Sequence, residues 1–441
     1  MESQERPIAV DLFAGAGGMT LGFEQAGFDV LAAVELDPIH CVTHQYNFPF
    51  WRVLCLNIAN TNGSEIRNIS GIGDRDIDVV FGGSPCQGFS LMGKRGLDDP
   101  RNGLIFQFQR LVVELNPKFF VFENVPGLTL GKHKEFLLNI IAYFQDNGYE
   151  VEEKYRVLNA ANYGVPQNRS RLFLLGCRQG LSLPKYPEPI TAINKLISHK
   201  NKKILSSYLP PVPTVWDAIK DLPKVEDYPE LLKQDSTIAE YGEPSDYARK
   251  LRYCADSDYG YDRAFDPQII TSSRRTNHSQ ESIERFNNTE QGKIEKISHF
   301  YKLDPNGICN TLRAGTASNL GAFTSPRPIH PFLPRCITVR EAARLHSYPD
   351  WFRFHVTKWH GFRQVGNSVP PLLAKAVATE IIRALGVSPV KPTGEKKQLV
   401  KAELLELTMS EAAKHCDVDP HVIEPRKRRD RHMTEIPESV V

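Results

Sequence analysis

Apolar positions in the first 180 residues alternate between short continuous runs and stretches with helical spacing. IAVDLF (8–13) has the length of a buried strand, GAGG follows as a turn, and MTLGFEQAGF (19–28) reads as a short helix. DVLAAVEL (29–36) is a second strand, followed by the helical PIHCVTHQYN (38–47). IDVVFGG (77–83) and KFFVFEN (118–124) are further strands, with the helix GLIFQFQRLVVELN (103–116) between them. HKEFLLNIIAYFQDNG (133–148) predicts a helix and RLFLLGC (171–177) a late strand. Strands that alternate with helices predict an α/β fold with a doubly wound, mostly parallel sheet, whose ligands sit at the carboxyl ends of the strands.

The pattern breaks after about Leu183. Proline becomes frequent (PKYPEPI, YLPPVPTV) and polar stretches such as SSRRTNHSQES (272–282) appear. Regular pattern returns in ITVREAARLHSYPD (337–350), a helix capped by Thr338 with Glu341 three residues on, and in GNSVPPLLAKAVATEIIRALG (366–386), a turn leading into an amphipathic helix. The chain therefore divides into an α/β part (1–183), the expected place of any cofactor and catalytic groups, an irregular smaller domain (184–330), a returning segment that completes the first part (331–386) and a polar, basic tail (387–441). LTMSEAAKHCDVDPHVIEPRKRR in that tail has a helix–turn–helix rhythm, with a solvated terminal helix as the plainer expectation.

Composition narrows the class. The 441 residues are 41% hydrophobic and 24% charged, an ordinary globular balance, and no apolar run approaches the length of a membrane span. The charged start, MESQERP, lacks the features of a secretory signal, so the cytoplasm is the expected compartment. Eight cysteines form no CxxC pair and no cysteine–histidine cluster, which indicates neither a disulfide framework nor a metal site. A net charge of +2 does not by itself argue for nucleic acid. Its local concentrations at Lys94, Arg95, Arg101, Arg274, Arg275 and RKRRDR (426–431) point weakly that way.

Two loops carry candidate chemistry. Gly15, Gly17 and Gly18 lie between a strand and a helix, where glycine allows a ligand close to the backbone and to the free N–H groups of the helix start. Glu35, at the end of the next strand, is placed to accept ribose hydroxyls, and Phe13 to stack on an adenine. The loop lacks the lysine and serine of a P-loop. An adenosine-type cofactor follows, of a kind these residues leave open. In GGSPCQGFSLMGKRG (82–96), Cys86 follows a strand end and Pro85, near Lys94, Arg95 and Arg101. A thiol becomes a nucleophile only as thiolate, which such a setting favours, although a buried structural cysteine is the commoner use of the residue. Glu123 ends the next strand among apolar neighbours, a setting that raises a carboxyl pKa. Arg169 and Arg171 in QNRSR share a face if that segment is extended. A thiolate, a protonated acid and an arginine at one sheet edge suit attack on an electron-poor ring such as cytosine.

These pieces, taken in order as DLFAGAGG, VEL, GGSPCQGFS, FENVPG, QNRSR, RCITVREAARLHSYP and GNSVPP, resemble the DNA (cytosine-5)-methyltransferase family over residues 8 to about 386. The resemblance implies that Cys86 attacks C6 of a flipped cytosine, Glu123 engages N3 and the exocyclic amine, Arg171 holds O2 and Arg169 supports them. It implies S-adenosyl-L-methionine as cofactor, contacted by Phe13, Gly15, Ala16, Gly17, Gly18, Glu35, Leu36, Asn367, Ser368 and Val369. Asn57 and Ile58 stand where relatives commonly carry aspartate and isoleucine. Gln87, Ser90, Met92 and Lys94 are the implied DNA contacts, with Met92 an apolar wedge filling the space a flipped base leaves. The irregular domain becomes the target-recognition domain. Double-stranded DNA is the implied partner, with a cognate restriction endonuclease as a second candidate and a monomer as the expected state.

The rival readings each leave something unexplained. A tRNA-methylating relative carries cysteine–phenylalanine–threonine where this chain has SYPDWF, and an inactive homologue has no need of Cys86, Glu123 and Arg171 together. A nicotinamide-dependent oxidoreductase explains only the glycine loop. An amino-methylating enzyme needs an Asp/Asn-Pro-Pro-aromatic loop in place of SPCQ.

Overall fold

The computed structural model describes residues 5–85, 103–131, 133–152, 154–193, 208–253, 258–315 and 327–423. The apolar runs become one sheet built from β1 (Ile8–Leu12), β2 (Asp29–Glu35), β3 (Arg52–Cys55), β4 (Val79–Gly83), β5 (Phe119–Asn124), β6 (Tyr149–Val151) and β7 (Arg156–Asn159). The two-residue β8 (Gln167–Asn168) precedes the last strand of that sheet, β9 (Ser170–Arg178). Strand order is β3-β2-β1-β4-β5-β9-β6, with β7 also paired to β9. The first five strands are parallel, whereas β6 and β7 pair with β9 antiparallel and β9 runs antiparallel to β5. The order reverses beside β1, so the crevice for a ligand opens at the carboxyl ends of β1 and β4.

Both faces of the sheet are covered, which is why its strands are apolar at successive positions. Val79, Phe81, Val121 and Phe173 pack on one side with α1 (Gly18–Ala26) and a late helix, Pro371–Leu385. Val80, Phe120, Phe122 and Leu174 pack on the other, against α3 (Gly63–Ser70), α4 (Gly103–Leu115) and α5 (His133–Asp146). α2 (Pro38–Asn47) has the predicted bounds, with Asp37 as its cap accepting from Ile39 N. The late helix sits so close to α1 that a Cβ on Gly22 would strike Ala374.

Among its described residues the irregular region has short helices, α6 (Val215–Ile219), α7 (Asp246–Tyr253) and α8 (Gln280–Asn288), and two-residue strands. Buried ion pairs tie it to the returning segment and to α1. Arg344 of α9 (Val339–Leu345) meets Asp221 and Asp350, and Arg263 meets Glu24 of α1. The predicted Thr338–Glu341 capping box is present at the start of α9. α10 (Lys358–Asn367) was not anticipated, and it absorbs the Gly366 and Asn367 that read as a turn; the late helix Pro371–Leu385 is α11.

The C-terminal stretch departs from the solvated helix expected. Of the helix–turn–helix rhythm, one helix forms among the described residues, α12 (Met409–His415). Its Ala412 and Ala413 are fully buried, with Ala412 against Ile39 and Val42 of α2. Val356 N donates to Leu405 O at 3.0 Å and His415 Nε2 donates to Gln45 Oε1 at 2.9 Å, fixing the segment further. The alanines that looked like a weak helix are the small residues a close helix contact requires. Among the described residues no helix is long and apolar enough to cross a membrane.

Candidate active site

A cavity of about 420 Å³ lies where the carboxyl ends of β1, β2, β4 and β5 meet the returning segment. Phe13, Gly15, Ala16 and Gly18 form one wall, Glu35 and Leu36 the next, with Asn57 and Ile58 beside them. Gly83, Ser84, Pro85, Glu123, Asn124 and Arg171 form the other end, and Asn367, Ser368 and Val369 close the side. Two of the expected residues in the described chain do not line it, Gly17 and Arg169. Cys86, Gln87, Ser90, Met92 and Lys94 lie outside the described residues.

The glycine wall is held by its own backbone chemistry. Glu35 accepts from Gly15 N, Leu36 N and Asp37 N, each at 2.8 Å, so its carboxylate is oriented before any ligand arrives. His44 Nδ1 donates to Gly15 O at 3.2 Å, and burial pushes this imidazole down to about 4, keeping it neutral. Phe13 (φ 63°) and Gly15 (φ 55°) both take left-handed backbone, which turns the chain sharply off β1. Gly17 caps α1 at φ 99°, and a Cβ there would meet the Phe48 ring. Gly17 therefore shapes the turn without facing the cavity. At Gly18 a Cβ would lie 2.6 Å from the Tyr348 hydroxyl and 2.8 Å from Val369 O, so the returning segment comes this close to the loop only because Gly18 lacks a side chain.

The acid end follows from sheet register. Glu123 pairs with Gly83 across the parallel β4–β5 contact and with Phe173 across the antiparallel β5–β9 contact. Arg171, two residues from Phe173, shares that face, and its Nε meets Glu123 Oε1 at 2.9 Å. A Cβ on Gly83 would strike the Glu123 carboxylate, so the second glycine of FGG makes room for the acid. Burial raises the Glu123 pKa above the ordinary carboxylate value, against the pull of Arg171 and Arg169. Asn124 donates from Nδ2 to Ser84 O at 3.5 Å, tying the strand end to the residues just before Cys86.

Arg169 was expected among the catalytic groups, yet it lies behind the cavity, fully buried. It donates to Leu312 O at 2.7 Å and to Gly366 O and Ser368 O at 2.8 Å. Gln167, not singled out from sequence, donates to His346 Nδ1 at 2.9 Å, and His346 Nε2 donates to Ser368 O at 3.1 Å. Gln167 and Arg169 thus clamp the 366–368 loop that closes one side of the cavity. Asn57 uses its Oδ1 on Ala59 N at 3.0 Å, which leaves its amide nitrogen as the freer group. Asp11, Asp37, His40, Arg363 and Ile423 also line the cavity. Of these, Asp37 follows directly on VEL, whereas Ile423 belongs to the tail and carried no local signal.

Residues 9–383 match the family model described as C-5 cytosine-specific DNA methylase. The chain belongs to this family. It is a DNA (cytosine-5)-methyltransferase on the mixed α/β fold expected. It is 56% identical over 425 residues to the Type II methyltransferase M.XorII of Xanthomonas oryzae pv. oryzae, covering 96% of this chain and 95% of that relative. Identity to M1.HphI of Haemophilus parahaemolyticus, another Type II methyltransferase, is 34% over 390 residues, with 85% and 86% covered. A crystal structure described as a prophage-encoded DNA modification methyltransferase of E. coli aligns with a TM-score of 0.67 at 33% identity, covering 86% of this chain and 100% of that one. The family match ends at Arg383, so Ile423 lies beyond the matched residues.

Proposed function

We propose that this methyltransferase acts on C5 of a cytosine flipped out of double-stranded DNA at one short sequence, through a transient bond between Cys86 and C6. The observation that carries the reading is the Glu123–Arg171 pair, buried in the cavity that Pro85 enters immediately before Cys86. The Cys86 thiolate adds to C6, and the electron pair displaced toward N3 is met by the proton that Glu123 keeps through its raised pKa. Arg171 spends Nε on Glu123 and Nη1 on Ser170 O, which leaves Nη2 for the base's O2. Once C5 carries the methyl group the N3 proton returns to Glu123, and removal of the C5 proton by a base, water included, breaks the Cys86–C6 bond and restores the thiolate. Flipping is required because the stack hides C6.

The other end of the cavity fits S-adenosyl-L-methionine. The Glu35 carboxylate suits ribose hydroxyls, Phe13, Leu36 and Ile58 offer apolar surface for the adenine, and Gly15, Ala16 and Gly18 bring backbone close to the ligand. When bound, that cofactor supplies the methyl group in electrophilic form. Asn367, Ser368 and Val369 cover it from the side Arg169 clamps. Residues 184–330 read the target. The enzyme works as a cytoplasmic monomer beside a restriction endonuclease of the same specificity, a pairing supported by its Type II relatives.

The test is base-resolution mapping of 5-methylcytosine in unmethylated DNA incubated with the enzyme, with and without S-adenosyl-L-methionine. Methylation confined to one short motif is expected; none on DNA overturns the reading. Ile423 gives a second expectation. Ile423→Ala should raise KM for the cofactor about two- to tenfold with kcat unchanged, because it removes apolar surface from the binding wall alone. Equal KM for variant and parent would show that the tail takes no part.

A further inference from the structure

Four cations gather outside the cavity, Lys358 at the start of α10, Arg274 and Arg275 on the polar stretch before α8, and Arg327 beside α10. Lys358 Nζ donates to Arg275 O at 3.0 Å and to Thr276 Oγ1 at 3.1 Å, joining α10 to that stretch. The Arg327 guanidinium lies 5.3 Å from the centre of the Phe362 ring, one turn along the same helix. Among the described residues, no carboxylate pairs with Arg274, Arg275, Arg327 or Lys358 within 4.0 Å. The acid facing Arg274 is Asp235, already engaged by Ser272 N at 3.0 Å and by Arg353 at 3.8 Å. Arg275 Nε and Arg327 Nε are buried without a hydrogen-bond partner.

This arrangement contrasts with the neighbouring Arg335, which meets both Glu226 and Glu341. Arg335 has two carboxylates, whereas these four cations gather with none within 4.0 Å among the described residues. The cost shows in Lys358, whose pKa is lowered by burial and then by Arg327 and Arg274. An anion held between these groups would repay it.

We propose that Arg274, Arg275, Arg327 and Lys358 seat one backbone phosphate of the bound DNA duplex. The inference rests on the reading that the cavity takes a cytosine from that duplex. α10 runs from Lys358 to Asn367 at the cavity wall, about 15 Å for ten residues. A duplex carries one charge per roughly 1.7 Å of its axis, so a phosphate a few base pairs from the target falls at that distance. Sequence-independent contacts of this kind position the protein while base edges are read elsewhere.

The experiment measures affinity of the full-length enzyme for two labelled duplexes, one carrying the motif it methylates and one lacking it, over a range of potassium chloride. Lys358→Gln and Arg327→Gln are prepared separately, with Arg274→Gln as a third variant, and melting temperature and cofactor binding check that each is folded. Each substitution is expected to weaken both duplexes by the same factor, roughly three- to tenfold, and to lower the slope of log affinity against log salt, by at most about one for a single phosphate. Unchanged slopes overturn the seat, as does a loss confined to the motif-bearing duplex, which marks base readout instead. If the parent enzyme neither methylates nor binds either duplex, the reading of the cavity falls first and the phosphate seat with it.

Discussion

Glu123→Gln is expected to slow methyl transfer about 10²- to 10⁴-fold, and Cys86→Ala to leave none, while cofactor binding stays near that of the parent. Glutamine keeps the shape and one acceptor of the acid, so Arg171 and the room left by Gly83 are undisturbed. What it lacks is a proton to give. Burial favours the neutral form of Glu123, so the folded enzyme holds this proton above the pH at which a free carboxylate releases it. The rate should therefore fall as pH rises through the raised Glu123 pKa. The stability this group contributes follows the same sign, present at low pH and lost through that pKa. The glutamine variant should lack that limb of the rate profile. Single-turnover transfer of a labelled methyl group, measured across pH, checks both points. A variant within about threefold of the parent, with the same profile, removes Glu123 from the chemistry.

What the sequence made legible was local. The loop after β1, the Pro38–Asn47 helix and the Thr338–Glu341 cap each depend on residues within one or two turns of each other, and each stands as read. Glu123 and Arg171 were legible as candidates because strand alternation and sheet-edge position are short-range properties. Their pairing needed the antiparallel β5–β9 register, which the run RLFLLGC does not announce. α10 escaped notice because KWHGFRQVGN is half polar and carries two glycines, so its helical face shows only once Phe362 and Val365 have a core to enter. Ile423 is the extreme case: nothing near it in the chain points to the cavity, and its place depends on Ala412 fitting against α2 some 370 residues earlier. Arg169 was legible as a supporting residue, but what it supports was not. Its spacing from Arg171 suggested a shared face, whereas its partners are carbonyls at 312, 366 and 368.

That reassignment makes Arg169→Lys the sharper test of how the site is built. The guanidinium reaches three carbonyl oxygens on two segments at once, a fork that a single ammonium cannot reproduce. Lysine keeps the charge and leaves at least one buried carbonyl without a donor, at about 1–3 kcal/mol each, so a stability loss of roughly 2–4 kcal/mol is expected in urea unfolding. Because Gly366 and Ser368 bound the cofactor side, the same variant should raise KM for S-adenosyl-L-methionine more than it lowers kcat. A residue acting on the base itself would do the reverse, lowering kcat with cofactor KM unchanged, as Glu123→Gln should. The two variants thus divide the cavity by function. On the proposed reading Arg171 and Glu123 would face the reacting base, and Arg169, two residues away on the same segment, would hold the wall on the cofactor side. If Arg169→Lys instead loses kcat with stability and cofactor KM intact, the clamp is incidental and Arg169 returns to the reacting groups.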